Sequence, residues 1–417
     1  MNVFIIQHTG ATNKGAEALF RGALQLIQEA CGPQTRIRSV TSQVAYDSAL
    51  FPEVEFFSRQ HVTPKRQRLV RGLAACPGWL TAPAAWGKRS RQFWLLDRAY
   101  RTADVVLSIG GDMFTDHYGL DGLANELWYV AEAVRRKKII CLLGQSIGPL
   151  GPAANCQQAL QVLQQANLIT IRETASWRYL EGVGLPMQHV ARAGDLSLLM
   201  RVDAQRDTKL TRFLKGGAPK VGVNVSQAIA DFAGAAGERS RYIRATVAGI
   251  RLLWQTHPDA VVYLVPHVMD RQANDDRIAC AEVAEQLADA RVVNLPADAV
   301  AGATAMELKY FVSQMDVFVA ARTHATLAAY TTGVPAVAIA YSLKAKGLAE
   351  HYYGDQWQNY VLEVKSMQAE ELARAILRTI EHRGELSRLL VEKTVPLRAA
   401  AQHNVELVRQ ALAQKGG

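Results

Sequence analysis

Short apolar runs alternate with longer amphipathic stretches along almost the whole chain. Val317-Phe318-Val319-Ala320 and Ala336-Val337-Ala338-Ile339-Ala340 contain no polar residue. An apolar run of that length between turn residues reads as a strand buried on both faces, the environment of a parallel sheet. The pattern predicts strands over 3–7, 36–41, 104–109, 138–143 and 168–171, with helices over 15–30, 121–136, 154–166 and 174–180. A second series places strands over 221–225, 261–265, 291–294, 317–320 and 336–340. Regular alternation of strand and helix is what parallel βαβ units leave in a sequence. Between the two series, 203–219 is polar, carries Gly216-Gly217 and lacks a core period. The expected class is therefore α/β, with two doubly wound, Rossmann-like domains at 1–205 and 218–368. A helical tail over 369–417 is expected to pack back across their boundary. Two such domains facing a cleft would open their strand C-termini onto it, where such sheets bind ligands.

Polar residues cluster just after the predicted strands. The sharpest group is Arg322-Thr323-His324, between the strand 317–320 and a helix predicted over 323–332, with Lys344 following the next strand. A helix N-terminus offers unpaired N–H groups and the positive end of its dipole, so cations placed there suit an anion. His324 is the side chain able to exchange a proton near neutrality; its plain alternative is a histidine bonded to a carbonyl. Arg172 follows the strand 168–171 and His267 follows 261–265, the latter as ligand contact or as a hydrogen-bonded structural histidine. The loop holding Asn13 and Gly15 could approach a ligand or be a tight βα turn. Asp112, after the glycine pair Gly110-Gly111, could act as a general base or simply cap a turn. No His-x-x-x-His or Asp-x-Asp pairing points to a metal.

Composition narrows the partners. The 417 residues are 49% hydrophobic and 20% charged, enough for two or three cores. No apolar run approaches the ~20 residues that span a bilayer, and the first residues read as a strand rather than a signal peptide. Five scattered cysteines suggest reduced thiols and a cytoplasmic protein. The net charge of +9 is concentrated at 59–101, where ten basic residues face one acid, Asp97, and Trp79, Trp86, Phe93 and Trp94 are interleaved. Cations with tryptophans suit a peripheral contact with an anionic membrane face; a solvated insertion is the plain alternative. Nucleic acid is not expected as a partner, since no binding motif accompanies the charge.

Taken in order, Asn13-Lys14-Gly15 with Arg21-Gly22, Gly110-Gly111 with Phe114 and Tyr118-Gly119, Gly144-Gln145-Ser146-Ile147-Gly148-Pro149, Arg172-Glu173-Thr174, Gly194-Asp195, Arg322-Thr323-His324-Ala325, and the run from Pro335 to Tyr341 with Lys344 resemble the polysaccharide pyruvyl transferases. The likeness is nearest to the colanic-acid type. It implies a GT-B-like pair of domains that moves pyruvate from phosphoenolpyruvate to two hydroxyls of a sugar, as a cyclic ketal, releasing phosphate. The sugar belongs to an exopolysaccharide or its lipid-linked repeat unit. Phosphoenolpyruvate is then a substrate, and no cofactor is expected. The resemblance implies donor contacts from Arg172, Arg322, Thr323, His324, Lys344 and Ser146, and acceptor contacts from Asn13, Gly15, Asp112, Asp116 and His267. His324 would be the acid and Asp112 the base. Thr323 departs from the family, which usually has leucine there. A nucleotide-sugar glycosyltransferase of the same architecture and a non-catalytic membrane tether for polysaccharide assembly remain as alternatives.

Overall fold

The computed structural model describes residues 1–60, 88–200, 202, 209–229, 238–270, 274–340 and 343–414, with backbone only for 88–91, 238–239 and 343–344. The chain divides into two compact units, one of residues 1–11, 19–200 and 398–417, the other of residues 12–18 and 201–397.

In the first unit the described strands are β1 (Asn2–Ile5), β2 (Arg36–Thr41), β3 (Val54–Ser58), β4 (Val105–Ser108), β5 (Gly111–Phe114), β6 (Ile139–Ile147), β7 (Leu168–Ile171) and β8 (Val190–Arg192). They pair in the order β3-β2-β1-β4-β6-β7-β8, with β5 beside β6, and every pairing is parallel. The second unit holds β9 (Lys220–Asn224), β10 (Val261–Leu264), β11 (Val292–Asn294), β12 (Val317–Ala320), β13 (Ala336–Ala340) and β14 (Val361–Glu363). Their order, β11-β10-β9-β12-β13-β14, is again all parallel and is that of the doubly wound dinucleotide folds. The winding reverses between β1 and β4 in one sheet and between β9 and β12 in the other. Ligands of such sheets bind beyond the carboxyl ends of the strands at that reversal.

The central strands are buried on both faces, and helices close each sheet over a core. Phe4, Val106, Ile140 and Leu142 meet Trp128 and Tyr129 in the first unit. Val223, Val262, Val319 and Val337 meet Ile243, Ile250 and Ile376 in the second. Each fully buried side chain of this kind contributes about 1.5–3 kcal/mol.

The structure departs from the sequence expectation at the margins. Strands β3, β8 and β14 lie at sheet edges and were not anticipated, because each carries exposed or half-buried positions that interrupt the apolar run. The strand predicted over 138–143 continues to Ile147, so Gly144, Gln145 and Ser146 lie in β6 rather than in a loop beyond it. The extension exists because β5 pairs with it, Gly111 opposite Gln145 and Phe114 opposite Ile147. Gly110 and Gly111, at φ 93° and 101°, allow the chain to leave β4 and re-enter the sheet as β5. The tail forms helices Ala369–Glu381 and Arg383–Ala413. Near its end the Asn404 amide donates to the Gly194 carbonyl (3.0 Å) and its oxygen accepts from the Thr170 hydroxyl (2.6 Å), while the Gly194 N–H reaches the Ala400 carbonyl (2.8 Å).

Candidate functional site

The second unit assembles its polar groups where the winding reverses. Asn224 ends β9; its side-chain oxygen accepts the Arg322 backbone N–H (3.0 Å) and its amide donates to the Val265 carbonyl (3.0 Å), tying three strand ends together. Arg322 is the N-cap of the helix Thr323–Tyr330. Its guanidinium donates to Asp276 (Nη2–Oδ1 2.7 Å, Nε–Oδ1 3.2 Å) and to the Asn274 side-chain oxygen (2.7 Å). Asp276 is fully buried and also accepts the backbone N–H groups of Gln227 (3.1 Å), His267 (3.2 Å) and Val268 (3.1 Å). Sequence reasoning cast Arg322 as an open cation; the structure gives it a carboxylate partner. Its charge is largely neutralised, and its fork is held at one angle by charge-assisted bonds.

His324 lies in the first turn of the same helix. Its ring is packed against Gly15, where a Cβ would stand 2.6 Å from Nδ1 and 2.8 Å from Cγ. The segment bearing Gly15 is fastened to this unit by an antiparallel bridge between Asn13 and Val268, by Lys14 N–H to the His267 carbonyl (3.0 Å) and by Met269 N–H to the Thr12 carbonyl (3.0 Å). The Asn13 side chain caps the helix Lys14–Cys31 by accepting from Gly15 N–H (3.0 Å). Lys14 is buried in an ion pair with Glu17 (3.0 Å). His267 is 6% exposed, and neither ring nitrogen has a hydrogen-bond partner among the described residues. Burial first, then the neighbouring His324, Arg322 and Lys14, push its imidazole well below the ordinary 6.5, so it stays neutral. An unsatisfied buried polar group costs about 1–3 kcal/mol, so the two ring nitrogens stand out among the described residues.

In the first unit Arg172 leaves β7 with its side chain 8% exposed, donating through Nη1 to Asp195 (2.6 Å) and through Nε to the Ser146 hydroxyl (2.8 Å). Burial opposes its charge, but Asp195, Glu173 and Asp112 outweigh burial and hold the guanidinium above its ordinary value. Asp195 follows Gly194, the residue on which the tail docks, so the far end of the chain helps to place the partner of Arg172. Asp112 lies in β5, not in a turn, and accepts the Tyr118 hydroxyl (2.8 Å). Asp116 opens the short 3₁₀ helix Asp116–Tyr118.

The structure thus gathers Asn13, Gly15, His267, Arg322, Thr323 and His324 in one unit, and Ser146, Arg172, Asp112 and Asp116 in the other. The Lys344 side chain and positions 61–87 of the basic segment lie outside the described residues. Arg59, counted with that segment, turns inward to pair with buried Glu126, because an apolar neighbourhood makes an unpaired carboxylate costly. Asp276, Asn224, Asp195, Lys14 and Glu17 were not singled out as site residues. The available signals were the Asp275-Asp276 pair, the position of Asn224 near the end of the predicted strand 221–225, and the Gly194-Asp195 pair. Among the described residues no group of three or more His, Cys, Asp or Glu could hold a metal ion, and no helix is long and apolar enough to cross a membrane.

A family model described as polysaccharide pyruvyl transferase matches residues 13–342. Among curated proteins, the amylovoran biosynthesis protein AmsJ of Erwinia amylovora is 24% identical over 249 residues, 59% of this chain and 58% of that protein. The chain therefore spans little more than half the length of this relative. Among solved structures, UDP-GlcNAc 2-epimerase of Neisseria meningitidis bound to UDP-GlcNAc superposes with a TM-score of 0.60 at 11% identity, covering 98% of this chain and 99% of that one. Anabaena HepE in complex with UDP-glucose gives 0.56 at 14% identity, covering 100% and 99%. At such identities the likeness shows the fold alone: a GT-B-like architecture of two Rossmann-like domains.

Proposed function

The chain belongs to the polysaccharide pyruvyl transferase family, and from that premise we propose that it transfers pyruvate from phosphoenolpyruvate to two hydroxyls of one sugar. The sugar would belong to an exopolysaccharide or its lipid-linked repeat unit, the product would be a cyclic ketal, and phosphate would leave. The observation that carries this reading is the seating of His324, an imidazole at a helix N-terminus, braced by Gly15 and flanked by Arg322 and neutral His267. A protonated His324 gives its proton to the methylene carbon of the donor, leaving an oxocarbenium-like centre. One sugar hydroxyl adds there and loses its proton, with Asp112 proposed as the base. Phosphate departs, the second hydroxyl adds with loss of its proton, and the ketal closes. Of the two hydroxyl protons, one restores His324 and the other leaves with phosphate as HPO₄²⁻. No cofactor enters this sequence. Arg172, Arg322, Lys344, Ser146 and Thr323 are proposed as donor contacts, the two arginines acting as preset donor arrays rather than as uncompensated charges.

The test is phosphate release from phosphoenolpyruvate across a panel of free and lipid-linked glycosides. Release that requires both donor and glycoside, with a ketal product by NMR, is expected. Turnover of UDP-sugars with no release from phosphoenolpyruvate would instead establish the nucleotide-sugar glycosyltransferase alternative. Gly15 supplies a sharper probe of the same site. A methyl at Gly15 would force the His324 ring out of its place, and a displacement of about 1 Å costs up to about 100-fold in rate. Gly15→Ala is expected to lower turnover on that scale with an unchanged donor KM; full activity would show that the contact does not position His324.

A further inference from the structure

We propose that Tyr118 is a stacking platform for a sugar ring of the acceptor, with the Asp112 carboxylate receiving one of that ring's hydroxyls. The proposal rests on the transferase reading for the identity of its ligand, and it adds the Tyr118 ring to the acceptor contacts that reading assigns. Tyr118 is 51% exposed and Leu120 42%, two of the few large apolar side chains left in water among the described residues. The chain beneath them is well anchored. Phe114 is fully buried, Gly148 N–H reaches its carbonyl (2.9 Å), Asp116 N–H reaches the Pro149 carbonyl (2.8 Å), and Gly119 N–H closes the turn on the Asp116 carbonyl (2.8 Å). Thr115 caps the turn by accepting from His117 N–H (3.3 Å). An anchored turn that still holds an aromatic ring outward gives up the burial that ring would otherwise gain.

The position and polarity select the ligand. The turn follows β5, beyond the carboxyl edge of the first sheet. The Tyr118 hydroxyl donates to Asp112 Oδ2 (2.8 Å), which sets the tilt of the ring; a carboxylate accepts more than one hydroxyl. Asp116 stands two residues before the ring. The carboxylates of Asp112 and Asp116 accept hydroxyls and so favour a hydroxyl-rich partner. A pyranose offers both features required, an apolar C–H face for the ring and hydroxyls for the acid.

The full chain, Tyr118→Ala and Tyr118→Phe are compared on a glycan microarray and in initial-rate kinetics with the best glycoside. Tyr118→Ala is expected to lose about tenfold in glycan retention and to raise the acceptor KM about tenfold, with the phosphoenolpyruvate KM unchanged, while Tyr118→Phe keeps the ring and stays within about threefold of the parent. Unaltered retention by Tyr118→Ala, a parallel rise in both KM values, or no glycan retained by the parent protein would each overturn the platform. Glycan retention that follows the ring, without phosphate release from any donor and acceptor pair, supports the platform and sinks the transfer reading instead.

Discussion

Replacing His324 with alanine is expected to lower phosphate release from phosphoenolpyruvate by about 100- to 10,000-fold, the range general acid catalysis supplies. The donor's dissociation constant should change little, because Arg322 is fixed by Asp276 and Asn274 and does not depend on the imidazole for its place. The effect should therefore fall on kcat rather than on KM, the signature of a group that acts in the transition state. His324→Gln keeps a hydrogen-bonding side chain but cannot deliver a proton, and should be impaired to a similar degree. The informative readouts are single-turnover phosphate release and titration of donor binding on the same preparations. Near-normal release by either variant would remove His324 as the acid. A loss confined to donor affinity would make it a binding residue.

The second large effect is expected at Asp276, which the catalytic step never touches. Asp276→Ala removes the carboxylate that pairs with Arg322 and that satisfies the N–H groups of Gln227, His267 and Val268. Arg322, with its side chain 12% exposed, would then be a buried charge without its acid. Breaking such a pair by deleting one partner costs about 3–5 kcal/mol. Urea unfolding of the variant should show a loss of that size. Restoring neutrality by adding Arg322→Met should recover part of it, so the double variant loses less than the two single variants together. A loss below about 1 kcal/mol for Asp276→Ala would show that the pair does not organise this sheet edge. The same variant should also lose donor binding, since the Arg322 fork would no longer be held at its angle.

Much of the architecture was legible because the inner strands of a parallel sheet are apolar throughout. β2, β7, β12 and β13 fall on the predicted residues, and Gly333 with Pro335 marks where the helix after His324 ends and the next strand begins. The edge strands β3, β8 and β14 were not legible, because an edge position tolerates polar residues such as Glu55 and Arg192 on its open side, whereas the edge strand β11 lies within its predicted residues. Arg172 and Arg322 were found from their places after strands, yet their partners were not. Asp195 lies 23 residues from Arg172, and Asp276 lies 46 from Arg322. A local pattern carries no information about which acid will face which base across that distance. The same holds for Asn13 and Gly15. Their loop reads as the turn after β1, whereas residues 12–18 pack with the second unit through the bridge to Val268.

The order of apolar and polar residues by itself determined the α/β class, the repeated βαβ winding and the delivery of Arg322 and His324 to a helix N-terminus. These follow from local periodicity and from glycine and proline stops, which act over a few residues. Only the tertiary structure decided that Arg322 is charge-paired, that Gly15 braces His324, that His267 is buried with neither ring nitrogen bonded among the described residues, and that Tyr118 stands in water over an anchored turn. Each of those depends on burial and on hydrogen bonds between segments far apart in the chain. Such terms exist only once the sheets have formed and water has been removed from their edges.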